Sequence, residues 1–380
     1  MRYLLAAIGN ELVRLHPDTL VYNTHITRRT TNQWLVDVIV INGFPYIAQG
    51  DFRTGYRHGW YARLNPNLTE VLNETAQIDI PTNATLKMSA APDGQHVYYI
   101  HNTMYCVKCN VNLEPVNVFG GSEEDAYPYA PAYHEGHGTA VGHLRDMICV
   151  DNPDALGEEF IYIGGRRSGA YYYYTAIYAT DTETMVAPEG NFYHIGRTSS
   201  DIFRDVIEEF YLYVDNEVPY LFMAGDDATG KRMAKVRLTD PYTIFKGPDD
   251  LNSYIGSGDF GKSMFANGVL YSARDTFIST FNIDTLAKIN TVDYSEEEPS
   301  FTHFRSLAYD SELDMLFAGT INGIIFAINP SNMEVQYYYS GSSSGAVRSM
   351  EMQEIPVLPP ILNLSQINNK IRVDWEYDTE

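Results

Sequence analysis

A short polar turn recurs along this chain, and its recurrence restricts the fold more than any other feature. It reads His16-Pro17-Asp18-Thr19, Asn65-Pro66-Asn67-Leu68, Asn110-Val111-Asn112-Leu113 and Thr180-Asp181-Thr182-Glu183 in the first half. It continues as Thr239-Asp240-Pro241-Tyr242, Asn282-Ile283-Asp284-Thr285 and Asn329-Pro330-Ser331-Asn332. Steps between the first residues of these seven copies are 49, 45, 70, 59, 43 and 47. Asn, Asp and Ser bond their own backbone and Pro presets φ, so each copy predicts a tight turn between strands.

The surroundings of the turn repeat as well. Leu316-Phe317-Ala318-Gly319 and Gly323-Ile324-Ile325-Phe326-Ala327-Ile328 precede the last copy, and Met333-Glu334-Val335 follows it. Leu4-Leu5-Ala6-Ala7 and Glu11-Leu12-Val13-Arg14-Leu15 precede the first, and Leu20-Val21 follows. A further strand comes before most hairpins, as in Phe304-Arg305-Ser306-Leu307-Ala308-Tyr309. Four short strands in roughly 50 residues is the period of a propeller blade. Only Phe203 to Glu209 has the pattern of a short helical turn.

The two ends complete each other. Val347-Arg348-Ser349-Met350 resembles Phe304-Arg305-Ser306-Leu307 but has no hairpin after it, and residues 3–24 form a hairpin without an inner strand. The expectation is an all-β, seven-bladed β-propeller over residues 1–354, its first blade composite and completed by 346–353. Closure removes open sheet edges, whereas the rival open solenoid needs capping repeats that the sequence lacks. A length of 380 residues suits one closed all-β unit.

After Gln353 the texture changes. Pro356, Pro359 and Pro360 make a stiff connector within 355–380. Leu362-Asn363-Leu364-Ser365 and Ile371-Arg372-Val373-Asp374-Trp375 then alternate like two half-buried strands, turning at Asn368-Asn369. This short C-terminal β extension resembles the opening of a fibronectin type III domain, which needs seven strands. It is expected to be either the start of a longer protein or a docking arm, with Trp375 as a contact residue.

Ser89-Ala90-Ala91-Pro92-Asp93-Gly94 is similar to the strand–turn signature of the irregular seven-bladed propellers called YVTN or quinoprotein-like. It differs by an extra Ala pair. No Gly-His…Trp-Asp pair, recurring double glycine or Asp-box series places the repeats with the WD-repeat, kelch or sialidase propellers. A signal-less, acidic propeller with a fibronectin-like segment is also similar in architecture to phage virion proteins of tails and adsorption structures.

Several motifs carry residue types that could do chemistry. Gly256-Ser257-Gly258-Asp259-Phe260-Gly261-Lys262-Ser263 has the letters of a P-loop. A P-loop needs a helix after it; Asn267-Gly268 and the strand-like Val269-Leu270-Tyr271 predict a loop and strand instead. His134, His137 and His143 sit in a Gly-rich loop, where imidazoles could converge on a metal. Gly136, Gly138 and Gly142 oppose a helix there, so a solvated polar loop is the preferred reading and no metal is assigned. Cys106 and Cys109 fall on opposite faces of a strand, and Cys149 is the third and last cysteine. Asp37, Asp146, Asp205 and His303 lie on inner-strand segments but share no register in sequence. Arg28, Arg29, Arg53 and Arg57 read as solvated loop tips.

Function follows from what remains. The chain carries 26 basic and 49 acidic residues, a net charge of −23. That excludes a dedicated nucleic-acid surface and adsorption to anionic lipid. No apolar stretch is long enough for a membrane helix, and the N-terminal apolar run is too short for a secretory signal. Sparse cysteine fits a reducing compartment. Tyr127, Tyr129, Tyr133, Arg166, Arg167, Tyr171, Tyr172, Tyr173 and Tyr174 lie in the longest insertions and suit an interface. The expectation is a non-enzymatic scaffold without a cofactor, with other proteins as partners, in a virion assembled in the host cytoplasm. The alternative is a lactonase- or quinoprotein-like enzyme holding a cation in its channel.

Overall fold

The computed structural model describes residues 1–28, 33–51, 58–79, 86–100, 105–120, 143–151, 159–166, 173–179, 184–185, 206–215, 218–227, 230–238, 244–247, 260–298, 300, 303–341, 345–355, 361–367 and 370–376. Every element among them is a β-strand. Sheet 1 runs, from the centre outward, Val347–Glu354, Arg2–Ile8, Glu11–Leu15, Tyr22–Thr27. Sheet 2 runs Gln33–Ile41, Phe44–Asp51, His58–Leu64, Val71–Glu74, with Ile78–Asp79 beside His58–Leu64. Sheet 3 is Met88–Ala90, His96–Ile100, Tyr105–Asn110, Pro115–Gly120. Sheet 4 is His143–Asp151, Glu159–Arg166, Tyr173–Ala179, Thr184–Met185. Sheet 5 is Val206–Asp215, Val218–Asp227, Gly230–Arg237, Ile244–Lys246. Sheet 6 is Phe260–Ala266, Val269–Arg274, Phe277–Asn282, Lys288–Asp293. Sheet 7 is Phe304–Asp310, Met315–Thr320, Ile324–Ile328, Val335–Ser340.

The innermost strand of each sheet packs on that of the next, and sheet 7 returns to sheet 1. This is an all-β propeller. The expectation of a seven-bladed propeller is corrected: the regular blades number six. Six sheets are four-stranded blades, while sheet 2 is five-stranded because Gly59 and His58 pair back with Ile78 and Asp79. Phe203–Glu209 is not helical where it is described: Val206 onward belongs to a strand. Ile361–Ile367 and Lys370–Glu376 form a separate two-stranded antiparallel hairpin. Two strands are common to any hairpin, so the fibronectin likeness goes no further.

The core lies between sheets. Leu4, Ala6 and Ile8 pack toward sheet 7 against Phe317, Ile325 and Ala327. Leu5 and Ala7, on the other face of the same strand, pack toward sheet 2 against Leu35, Val38 and Ile47. A strand covered on both faces needs apolar residues at every position, which explains the unbroken Leu4–Ile8 run.

Five of the recurrent turns lie within the described residues; those at 180–183 and 239–242 lie outside. Each of the five ends on a buried apolar residue with left-handed backbone: Leu20 (φ 50°), Leu68 (60°), Leu113 (62°), Leu286 (54°) and Met333 (62°). Their polar leaders hold the loops: Asn282 Oδ1 accepts the N–H groups of Asp284 and Thr285 at 3.0 and 2.8 Å. A left-handed non-Gly residue costs roughly 1–2 kcal/mol, while burying a Leu side chain returns about 1.5–3 kcal/mol. Burial therefore wins, and the side chain pins the turn to the core. In four of the five, the carbonyl of the turn's second residue is also held by a neighbouring sheet. Tyr337 Oη donates to Pro17 O (2.8 Å), Arg14 to Pro66 O (2.9 Å), Tyr46 to Val111 O (2.7 Å) and Tyr271 to Pro330 O (3.4 Å).

The ring closes on the expected composite sheet. Val347–Glu354 pairs antiparallel with Arg2–Ile8 from Arg2↔Glu354 to Ile8↔Val347. Met1 and Ile355 exchange backbone bonds of 3.0 and 2.8 Å. Arg2 reaches Asp310, Glu312 and Glu354 at 2.8, 2.9 and 3.3 Å. A Cβ at Gly345 would stand 2.5 Å from the Cα of Gly9, so the chain ends cross only because this residue has no side chain.

Deleting 346–353 should abolish cooperative unfolding, as followed by thermal melting; an unchanged transition would refute the closure. Leu286→Ala should lower stability by about 2–5 kcal/mol in urea titration, because a buried anchor is truncated. Loss below about 0.5 kcal/mol, the level of an ordinary surface change, would show that the turn holds itself.

Candidate functional site

The inner strands carry a repeated irregularity near their starts. Pairing skips one residue between Leu35 and Asp37, Leu144 and Asp146, Ile207 and Glu209, Phe304 and Ser306, and skips Arg348 before Ser349. In sheet 6 it skips Gly261 and Lys262 before Ser263. These are β-bulges, which re-aim the side chain that follows. That side chain is an Asp, Glu or Ser each time; sheet 3 has no such skip among its described pairs, but its inner strand carries Ser89.

These residues latch each sheet to its neighbour. Asp37 accepts the Met88 N–H and the Ser349 hydroxyl, both at 3.0 Å, and so ties three sheets together. Ser89 Oγ accepts the Cys149 N–H at 2.9 Å. Asp146 accepts the Phe210 N–H at 2.8 Å, and Glu209 accepts the Ser263 N–H. Ser306 donates to Val347 O at 2.8 Å, an approach that leaves no room for a Cβ on Gly319. Between sheets 6 and 7 the Phe304 N–H bonds Asp275 O at 2.7 Å.

Buried carboxylates need a counter-charge as well as hydrogen bonds. Lys87 provides it. Its Nζ lies 3.6 Å from Asp37 and 3.9 Å from Asp146, with 21% of the side chain exposed. Burial opposes the lysine's charge, but Asp37, Asp146 and Glu209 outweigh it and hold the pKa above its ordinary 10.5. The ammonium thus stands among the carboxylates where a bound cation would otherwise be needed.

Asp37 and Asp146, which share no register when counted along the sequence, share one in the structure, and Glu209 joins them. One inserted residue per strand defeats counting by twos. His303 is exposed, 3.8 Å from Asp275, and off this ring. Asp205 lies outside the described residues.

The other candidates separate cleanly. Lys262 and Ser263 lie on strand Phe260–Ala266, followed by the Asn267-Gly268 hairpin turn (φ 50° and 76°) and another strand, so no helix N-terminus exists for a phosphate. Ser263 is fully buried. Cys109 and Cys149 are free and buried, and burial pushes the Cys109 thiol up to about 12, which removes it from redox chemistry at neutral pH. His143 begins strand His143–Asp151; His134 and His137 lie outside the described residues, and no metal-binding group occurs among those described. Tyr127, Tyr129, Tyr133, Arg167, Tyr171 and Tyr172 also lie outside. Arg166 ends strand Glu159–Arg166, Tyr173 and Tyr174 begin Tyr173–Ala179, and Trp375 lies on Lys370–Glu376. Arg28 is not a solvated tip, since it pairs with Glu74. Arg29, Arg53 and Arg57 lie outside the description. No helix among the described residues is long and apolar enough to cross a membrane.

A cavity of about 950 Å³ lies between the joined chain ends, lined by Met1, Arg2, Val40, Met352, Glu354 and Ile355 among others. Its charges pair with one another through Arg2.

No protein family matches the chain, and no curated protein matches its sequence. Its similarities are to solved structures. The WD40 β-propeller domain of Doa1 is 9% identical with a TM-score of 0.49, over 92% of each chain. The dihydro-heme d1 dehydrogenase NirN, in complex with DHE, is 8% identical with a TM-score of 0.53, over 92% of this chain and 74% of that one. At such identities the likeness to NirN speaks for the propeller fold alone.

Lys87→Met should destabilise the protein by about 2–3 kcal/mol near pH 7, below the 3–5 of a fully buried pair because the ammonium keeps some exposure. A raised lysine pKa stabilises fully below pH 10.5 and is lost as pH rises through the folded value. The variant's deficit should therefore shrink above that range. It should also narrow toward pH 4, where carboxylates without a cation take up protons. Urea midpoints equal to wild type at pH 7 would remove the latch role of Lys87.

Proposed function

We propose that the chain is a non-enzymatic interaction scaffold in a larger protein assembly, of the kind found in phage tails and adsorption structures, assembled in the host cytoplasm. One observation carries the choice over an enzyme with a channel-bound cation. Asp37, Asp146 and Glu209 on the inner strands are engaged in sheet-to-sheet bonds, and Asp37 and Asp146 share the ammonium of Lys87. Chemistry on a metal needs open coordination positions, and these carboxylates are committed to holding the ring.

The outer strands favour contacts. Tyr22, Leu72, Val116, Ile289 and Tyr338 project from the outermost strands of five sheets and are all exposed. The Tyr- and Arg-bearing insertions and the C-terminal hairpin supply the docking surfaces, and residues 1–354 and 355–380 act as ring and arm.

Native mass spectrometry of the complex isolated from its source tests this. The expected result is a fixed stoichiometry with other protein chains. A monomer that carries bound calcium and melts higher with it would overturn the reading in favour of the enzyme.

A further inference from the structure

The bulges that create the latches also place a second set of residues. The inserted residues include Arg305 in sheet 7 and Arg348 in sheet 1. Sheets 7 and 1 are consecutive, so two arginines occupy equivalent positions on neighbouring inner strands at one mouth of the channel. The chain has 26 basic against 49 acidic residues, so such a concentration runs against its composition.

Arg305 is exposed and Arg348 half-buried. The Arg348 guanidinium lies over the ring of Trp34 from sheet 2, its Cζ 4.8 Å from the centroid. Trp34 is itself 40% exposed. Stacking fixes the plane of a guanidinium while leaving its N–H fork free to bond. Among the described residues neither Arg305 nor Arg348 forms an ion pair. Other basic residues do: Arg2 meets three carboxylates, and Lys87, Lys108 and Lys235 each meet at least one. Burial and the nearby Arg305 together lower the Arg348 pKa. Two like charges are thus held side by side in a protein rich in carboxylates that could have separated them.

We propose that this mouth of the channel binds a small molecule through an oxyanion, carboxylate or phosphate, taken by Arg305 and by the Trp34-stacked Arg348. The forked N–H groups of a guanidinium match both anions in bidentate geometry. The ring of latches beneath fixes the spacing of the two strands, since Ser306 bonds Val347 and Ser349 bonds Asp37. The proposal goes beyond the scaffold reading and does not depend on it.

The experiment is thermal melting of the full chain titrated with inorganic phosphate and, separately, with citrate, at ionic strength held constant with sodium chloride. A saturable rise in melting temperature is expected with at least one anion, half-complete at or below about 1 mM. A response to phosphate alone, citrate alone or both supports the site and names the anion. Arg305→Ala should weaken the response at least threefold, and the double variant with Arg348→Ala at least tenfold. Arg305 is exposed and is no latch, so the single variant keeps the test sound if the double one folds poorly. No saturable shift up to about 10 mM, or an equal response in Arg305→Ala, would overturn the proposal.

Discussion

Everything in this molecule depends on the pairing of Val347–Glu354 with Arg2–Ile8. A propeller sheet buries both faces, so it is stable only with a neighbour on each side. Without the closing strand, sheet 1 would lack its inner element and sheet 7 would expose Phe317, Ile325 and Ala327. The contacts at the closure are correspondingly dense. Arg2 gathers Asp310, which is fully buried, together with two exposed glutamates. Gln353 donates to Gly43 O and Pro66 O at 2.8 and 3.0 Å, tying the last strand to sheet 2.

A second constraint acts around the channel. Apolar layers between sheets are strong but slide easily, since the hydrophobic effect has no direction. Directional bonds must set the angle between sheets, and the bulge residues supply them. Burying a carboxylate alone costs several kcal/mol, and Lys87 together with backbone N–H donors offsets that cost. The tyrosines act likewise at the periphery. Tyr46, Tyr271 and Tyr337 each fill space between sheets with the ring and bond a turn carbonyl with the hydroxyl. Much of the tyrosine content of the described residues is thus structural, which a count of 30 could not reveal.

The same backbone irregularity serves two ends. An inserted residue turns the next side chain into the junction and leaves its own outside the pairing. Where the inserted residue is Val36 it packs against the core between sheets 2 and 3; where it is Arg305 or Arg348 the mouth gains charge. Ligand chemistry can therefore change at the inserted position while the latch beside it stays. Loops on a rigid ring have the same freedom.

The sequence alone determined the strand-rich repeat, the composite closing sheet and the five turn positions that fall within the described residues. These rest on local chemistry: Asn, Pro and Asp impose turns, and unbroken apolar runs mark strands covered on both faces. It did not disclose the fifth strand of sheet 2, because Ile78-Asp79 carries no pattern of its own and pairs only where His58–Leu64 offers an edge. It also hid the register of Asp37, Asp146 and Glu209. A bulge adds one residue to a strand without a composition signal, since bulged residues here range from Val to Arg. Which carboxylates face one lysine, and which arginines stand side by side, was decided by the inner strands meeting around one ring. That proximity spans 312 residues between Asp37 and Ser349, a distance over which local sequence carries no information.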